Sequence, residues 1–527
     1  MRASDLLVEC LEREGVEHVF GVPGEEMEDL LFSLRDSGVT FVPVRHEQGG
    51  AFMADVHGRL TGEAGVCLST LGPGATNLLT GVADAHLDKS PLVAITAQGG
   101  LERLHKESHQ ALDVVELFAP ITKWNTQLND PDIVHESVRK AFKVAQYEKP
   151  GATHLELPED VAGEETETRP LPTRERVSVG APEADVLERV KSLFRGAERP
   201  LLIAGNGAVR TGAASQLREL AAAKDLPVVS TYMGKGAVSD DDDHSLMTLD
   251  SGDDGEAASA IEQADLVVTV GYDIAEHDPA EWGLGDAAVV HVDSEPAEVY
   301  EAYTPDVEVI ADVGRTLEAL TDWCVDVAVE FDVDWYADLR EQIVADVSRE
   351  PAPEAPFTVE GVLPVFRDVM ADDDVLVSDV GSHKMAIAQR FPTYESNTCI
   401  VSNGLASMGI AVPGGLAADL AVDTNVVAAT GDGGFLMNAA EIETAMRVGC
   451  GYTIVVFVDD DYGLISEKQE DHTGESFGTK LTNPDLVTFA ESFGVDGYRP
   501  ESAAELRAVL ADAVGGDGMT LVEIPVE

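Results

Sequence analysis

The sequence predicts an α/β protein of about three domains, each a parallel sheet flanked by helices. Short β-branched runs, such as residues 454–458, alternate with amphipathic helical patterns along nearly the whole chain. Glycine-containing turns separate them, which is the rhythm of βαβ units joined by helical crossovers. Two stretches interrupt it, 160–185 and 347–358; both are polar and proline-bearing and lack periodicity, so they read as linkers. The resulting segments are 1–165, 185–330 and 355–527.

Composition narrows the setting. Lys and Arg number 35 against 97 Asp and Glu, a formal net charge of −62. The acids are dispersed, as at 240–244 and 371–375, so the surface repels nucleic acid and anionic lipid. Salt relieves such self-repulsion, and the reading is a protein adapted to a salty cytoplasm. Cys10, Cys67, Cys324, Cys399 and Cys450 are scattered and form no C-x-x-C, which speaks against a disulfide framework or a zinc site. Residues 1–15 predict an amphipathic helix with Ser4 as N-cap and Gly15 as stop, not a signal peptide. No run reaches the roughly 18 apolar residues of a membrane span. A cytoplasmic protein with neither nucleic acid nor membrane as partner is expected.

In the first segment, Glu47 follows a short strand and opens a helix, where a lone Glu is commonly a helix N-terminal charge. Pro73 and Asn77 lie in LGPGATN (71–77), where turn chemistry and an N-cap account for them. In the middle segment, AGNGAV (204–209) reads as a tight strand-to-helix turn and DDDDH (240–244) as a solvated loop. The third segment is richer. A strand ends at Thr430 and Gly431-Asp432-Gly433-Gly434 turns into a helix; glycines allow close backbone approach, and a helix N-terminus favours phosphate. The next strand ends at Asp459, 27 positions on. A right-handed βαβ unit of that length brings both carboxylates to one sheet edge, an oxygen-rich site suited to Mg²⁺ or Ca²⁺. Asp459, Asp460 and Asp461 are adjacent. They are either more surface charge in an acidic chain or partly a cation site.

The G-D-G turn followed at this spacing by acidic residues after an apolar strand resembles the motif of thiamine diphosphate enzymes, with Asp459 where Asn is more usual. The resemblance implies Mg²⁺ bound by Asp432 and Asp459 through side chains and by Asp461 through its carbonyl, with no contact assigned to Asp460. It extends the cofactor set through Gly431, Gly433, Gly434, Tyr462, Gly463 and Leu464. RHEQGGAFMA around Glu47 and LGPGATN resemble the family's pyrimidine-binding domain. There the glutamate bonds the aminopyrimidine N1′, and Pro73 and Asn77 fall on the G-P-G-x-x-N loop. VSDVGSHKMAI (377–387) resembles the diphosphate-contacting segment, matching Gly381, Ser382 and His383. SNGLASMGIAVPGG (402–415) resembles the loop under the bent cofactor, with Met408 as the apolar prop and Ala406 as a carbonyl acceptor; taken alone, Met408 reads as core.

Over the whole chain the sequence resembles acetolactate synthase large subunits in the three-domain thiamine diphosphate-enzyme architecture. HQALD and PITK carry Gln110 and Lys123, which the resemblance puts near the active-site entrance with a catalytic role. The implied reaction condenses two pyruvate molecules to 2-acetolactate with loss of CO₂, through a hydroxyethyl-thiamine diphosphate intermediate. Another 2-oxo acid carboligase, decarboxylase or pyruvate oxidase of the superfamily is the alternative. GYDIAEHDPAEW (271–282) is similar to the catabolic, flavin-independent branch. Met408 instead matches the flavin-containing biosynthetic branch, so FAD stays open. A homodimer or dimer of dimers is implied, and a regulatory small subunit is left undecided.

Overall fold

A computed structural model of the chain describes residues 1–249, 255–348 and 350–527. Three six-stranded sheets, all parallel, succeed one another along the chain. The first contains β1 (His18–Gly21), β2 (Thr40–Pro43), β3 (Gly65–Ser69), β4 (Leu92–Gln98), β5 (Trp124–Gln127) and β6 (Ala152–Pro158), in the order β2-β1-β3-β4-β6-β5. The second contains β7 (Pro200–Ala204), β8 (Val228–Ser230), β9 (Ser245–Thr248), β10 (Leu266–Val270), β11 (Ala288–Asp293) and β12 (Val307–Ile310), in the order β12-β11-β10-β7-β8-β9. The third contains β13 (Val375–Ser378), β14 (Cys399–Val401), β15 (Val426–Gly431), β16 (Thr453–Val458), β17 (Asp496–Tyr498) and β18 (Thr520–Pro525), in the order β14-β13-β15-β16-β18-β17. Helices cover both faces, so the central strands are buried throughout, which is why they read as continuous apolar runs. No helix or strand lies between Gly163 and Ala184.

The first and third sheets share one core. The helix Glu47–Thr61 packs on the helix Ala411–Ala421, and Phe52, Val56, Leu416 and Tyr452 belong to a single buried cluster. Arg59 sits beneath this contact, 8% exposed at its side chain, and pairs with Asp55 at 2.8 Å and Asp88 at 2.7 Å while donating to Val401 O at 2.9 Å. Among the described residues no helix is long and apolar enough to cross a membrane. All five cysteines are free and buried.

Three local expectations need correction. The first helix is Ala3–Glu14, capped by Arg2 with Asp5. Ser4 lies inside it and accepts from Ser33 Oγ, because the buried face claims its hydroxyl. Gly15 does stop the helix, in the left-handed conformation. The acidic run at 240–244 is only partly solvated: Asp240 is buried and accepts from Thr393 N (2.8 Å) and Ser245 Oγ (2.9 Å), tying the second domain to the third. Asn77 is not an N-cap; Gly72 caps the helix Pro73–Leu87 and frees the Asn77 side chain.

Candidate active site

In the third sheet the chain runs from β13 outward to β14, then crosses back to β15 on the other side. Where strand order reverses, the turns leaving two neighbouring strands diverge and a crevice opens at their C-terminal ends. Here it is a cavity of about 380 Å³. Gly381, Ser382 and His383 line it from the turn after β13, and Gly431, Asp432, Gly433 and Gly434 from the turn after β15. Asp459, Asp461, Tyr462, Gly463 and Leu464 close it beyond β16, and Ala406 and Met408 enter from the loop preceding the helix Ala411–Ala421. The third-segment residues picked from sequence are therefore brought together. Val359, Val380, Phe457, Ile465 and Val526 add an apolar wall that the sequence did not flag.

The acidic end of this cavity is organised by short-range bonds. Gly431 is opposite Phe457 in the β15–β16 register, so Asp432 and Asp459 emerge side by side. Burial pushes the Asp432 carboxyl up to about 6, and Asp459 adds to the shift. Burial raises Asp459 too, with Asp461 contributing. Two neighbouring carboxylates that disfavour each other's ionisation form a site that a divalent cation would relieve. Asp460 is exposed, and its side chain accepts from Asn483 Nδ2 at 2.8 Å. Its backbone N–H, however, donates to Asp432 Oδ2 at 3.0 Å from a left-handed conformation. Asn483 also donates to Asp432 Oδ2 at 2.5 Å, a clamp the sequence did not reveal. The Asp461 side chain turns away to Ser466 Oγ (2.5 Å) and Lys480 Nζ (3.0 Å). Among the described residues no three His, Cys, Asp or Glu side chains converge as a metal cluster. Asp432 and Asp459 are the two cavity-lining carboxylates at this end that could hold a cation.

Asp379 is the hub of the opposite end. It is fully buried between β13 and the cavity turns. Oδ1 accepts from Val380 N and Gly409 N, both at 2.7 Å, and Oδ2 from Thr430 Oγ1 at 3.0 Å and Ala411 N at 3.4 Å. One carboxylate thus fastens all three loops. Burial raises its carboxyl despite those donors. Within the loop, Ala406 holds φ at +53° and Gly409 at +96°. A Cβ on Gly409 would lie 2.8 Å from Asn438 Nδ2, which donates to Gly409 O. A non-glycine residue in the left-handed region is strained, and at Ala406 the strain re-aims the backbone at the cavity. His383 is buried and burial pushes its imidazole down to about 4; Nε2 has no protein partner. A neutral imidazole with an orphaned ring nitrogen, beside glycine turns and a carboxylate pair, is a donor set that fits a diphosphate carrying a divalent cation.

The first-segment residues form a separate site. Glu47 is the first residue of its helix and 8% exposed, and Asn77 Nδ2 donates to its Oε2 at 2.9 Å. Pro73 opens the neighbouring helix, so the G-P-G-x-x-N loop sets Asn77 against Glu47. None of the three lines the 380 Å³ cavity of the same chain. Gln110 is exposed and left-handed, with its carbonyl against Gly72. Lys123 does not reach either group: Nζ donates to Tyr147 O (2.7 Å) and Lys149 O (2.5 Å), and burial pushes its ammonium down to about 8.

The second sheet has its own reversal of strand order, between β7 and β10, where the predicted tight turn 204–209 is found. The turns leaving β7 and β10 pack directly on each other. Gly207 packs on Gly271 so closely that a Cβ would lie 2.5 Å from Gly271 Cα. Glu276, buried, accepts from Asn206 N at 2.9 Å, Asp273 N at 2.9 Å and the Thr231 hydroxyl.

Comparison with known proteins agrees with this architecture. Family models for thiamine pyrophosphate enzymes match in chain order: the N-terminal TPP binding domain at 1–117, the central domain at 187–320 and the C-terminal TPP binding domain at 379–524. The fold and site thus define a thiamine pyrophosphate-dependent enzyme. The chain is 34% identical to "Acetolactate synthase" of Bacillus subtilis, covering 100% of this chain and 93% of that protein. It is 32% identical to "Acetolactate synthase, catabolic" of Raoultella terrigena (99% and 95%) and 30% identical to "Probable acetolactate synthase large subunit" of Methanocaldococcus jannaschii (100% and 92%). The chain belongs to the acetolactate synthase family of these enzymes.

Proposed function

We propose that the protein condenses two pyruvate molecules to 2-acetolactate and CO₂, with thiamine diphosphate and Mg²⁺ held in the 380 Å³ cavity. The observation that carries this is the joint placement of Asp432, Asp459, His383 and Met408 around one cavity, in a chain of this family. When bound, the cofactor supplies a thiazolium carbon that stores the electrons of decarboxylation. The protein's part is positional. Asp432 and Asp459 would hold the cation, with the Asp461 carbonyl as a further ligand. Gly431, Gly433 and Gly434 admit the diphosphate to the helix N-terminus, and Gly381, Ser382 and His383 contact it from the other turn. Tyr462, Gly463 and Leu464 close the same end, and Met408 and the Ala406 carbonyl would support the cofactor from the loop before the helix Ala411–Ala421. Glu47, oriented by Asn77 beside Pro73, would be the carboxyl that bonds the pyrimidine ring nitrogen of the bound cofactor. Gln110, exposed beside Gly72, serves the entrance for the 2-oxo acids, whereas Lys123, bound to Tyr147 O and Lys149 O, is given no role there. The domains run 1–165, 185–330 and 355–527.

Because Glu47 does not line its own chain's cavity, the functional unit in this reading is a homodimer, or a dimer of dimers, in which each copy completes the other's site. The exposed apolar side chains Leu436, Met437 and Met446, on the helices leaving the Asp432 turn of a strongly acidic chain, support a contact there. Flavin is read as absent: dinucleotides take the crevice where strand order reverses, and in the second sheet the main-chain donors Asn206 N and Asp273 N there are already taken by the buried Glu276 carboxyl.

The test is an NMR time course of pyruvate with the purified protein, Mg²⁺ and thiamine diphosphate in molar KCl, without added FAD. The expected product is 2-acetolactate, seen as acetoin after acid treatment. Activity only with FAD would overturn the flavin-free reading. Acetaldehyde or acetyl phosphate would replace the synthase by a decarboxylase or oxidase of the same superfamily.

A further inference from the structure

We infer that Glu441 is the positioning residue for Glu47: a buried carboxylate of the third domain that fixes the turn from which Glu47 projects. The inference rests on the role given to Glu47 above. Only Val44, Arg45 and His46 separate the end of β2 at Pro43 from the helix that Glu47 opens. Val44 N still donates to Gly21 O, at 2.9 Å. Arg45 and His46 have no such neighbour in the sheet, and both their backbone N–H groups donate to Glu441 Oε1, each at 3.0 Å. These bonds span 396 and 395 positions of sequence.

Glu441 is itself held. It is 1% exposed, opens the helix Glu441–Val448, and accepts from Thr444 Oγ1 at 2.6 Å through Oε2. A buried carboxylate is tolerated only with such donors, so its geometry is fixed from both sides. The space is equally exact on the other face: a Cβ on Gly49 would lie 2.8 Å from Glu441 Oε1, so the helix carrying Glu47 must present glycine there. The helix Glu441–Val448 grips the turn twice more. Arg447 donates to Pro43 O, and Glu443 accepts from Arg45 Nε at 2.7 Å. The contacts that Glu441 makes to this turn are to main chain. They set where the turn lies, not what it binds, and Glu47 is the next residue along. Loss of Glu441 leaves two amides before Glu47 without acceptors and lets the helix start shift by a fraction of an ångström, enough to misplace a hydrogen bond to a ring nitrogen.

The experiment uses full-length protein in molar KCl, with Glu441→Ala and Glu441→Gln compared with wild type. Two readouts are taken. Amide hydrogen exchange over residues 43–50 is measured without cofactor. Exchange of the reactive C2 proton of thiamine diphosphate for deuterium is measured by NMR in the loaded enzyme without pyruvate. Glu441→Ala is expected to speed amide exchange in 43–50 at least tenfold, with residues 65–69 unaltered. It should slow C2 exchange at least tenfold while thiamine diphosphate affinity stays within threefold. Glu441→Gln, which keeps one acceptor oxygen, should fall between, and it carries the test alone if the alanine variant does not fold. Unchanged C2 exchange in a folded variant overturns the proposal, as does slowing matched by an equal loss of cofactor affinity. Glu47→Gln, measured in parallel, separates the two readings. If it leaves C2 exchange at the wild-type rate, the role of Glu47 fails first. If it abolishes exchange while the Glu441 variants do not slow it, only the positioning role fails. The double variant Glu47→Gln/Glu441→Gln should be no slower than Glu47→Gln alone.

Discussion

Replacing Asp379 tests whether one buried carboxylate holds the cofactor loops together. In Asp379→Ala, Val380 N and Gly409 N lose an acceptor at 2.7 Å each in a site with no exposure. Each orphaned buried donor costs about 1–3 kcal/mol. Thr430 loses less, because its hydroxyl also has Gly431 O at 3.0 Å, and the Ala411 bond at 3.4 Å is weak. Against this, the variant removes a charge whose burial is unfavourable, as the upward shift of its carboxyl indicates. The net expectation is about 3 kcal/mol, drawn from the same per-donor cost. If ordering of the 404–411 loop is coupled to binding, that is a loss of about 100-fold in thiamine diphosphate affinity. In Asp379→Asn the remaining oxygen still faces both amides and the new amide nitrogen can donate to Thr430, so the loss should stay below about tenfold. Affinity is read by titration calorimetry with Mg²⁺, and amide exchange of residues 376–383 and 404–412 locates the change. Unfolding of a three-domain chain is not one transition, so local exchange is the more direct probe. Affinity within threefold of wild type in Asp379→Ala, with unaltered exchange in both segments, would refute the argument.

Four further outcomes are expected. Asp432→Ala should abolish Mg²⁺-dependent thiamine diphosphate binding in calorimetry while circular dichroism stays native; retained binding would remove Asp432 from the site. Arg59→Leu leaves Asp55, Asp84 and Asp88 buried without their cation, and loss of one partner from such a cluster costs about 3–5 kcal/mol, read as a lowered thermal midpoint. His154, buried against Phe118 at 4.0 Å, is pushed down to about 3 by burial alone. The unfolded chain therefore binds a proton that the folded chain refuses, and stability falls as pH drops from about 6.5 toward 3; between pH 7 and 4.5 wild type should lose about 2–3 kcal/mol more than His154→Gln. Finally, a chain of net charge −62 should unfold as KCl is dialysed from molar to about 0.1 M, where the screening length reaches about 10 Å; a salt-independent midpoint would refute the salt-adapted reading.

What the sequence determined by itself was local and periodic. Strand and helix alternation, the glycine turn after Thr430 and the strand ending at Asp459 lie within one βαβ unit, whose handedness and length leave little freedom in where its ends meet. The convergence of Asp432 and Asp459, and of the other third-segment residues on one cavity, followed from that constraint and from family resemblance. Tertiary structure alone decided which of the acids outside those motifs are more than surface charge. Asp379 meets Gly409 across 30 positions, Asn483 meets Asp432 across 51, Glu276 meets Asn206 across 70, and Glu441 meets His46 across 395. No sequence period links such pairs. A carboxylate becomes structural only where packing strips it of water and distant main-chain donors replace the water. The same holds for Glu47: its motif was legible, but its separation from its own chain's cavity arises from how the first and third domains pack.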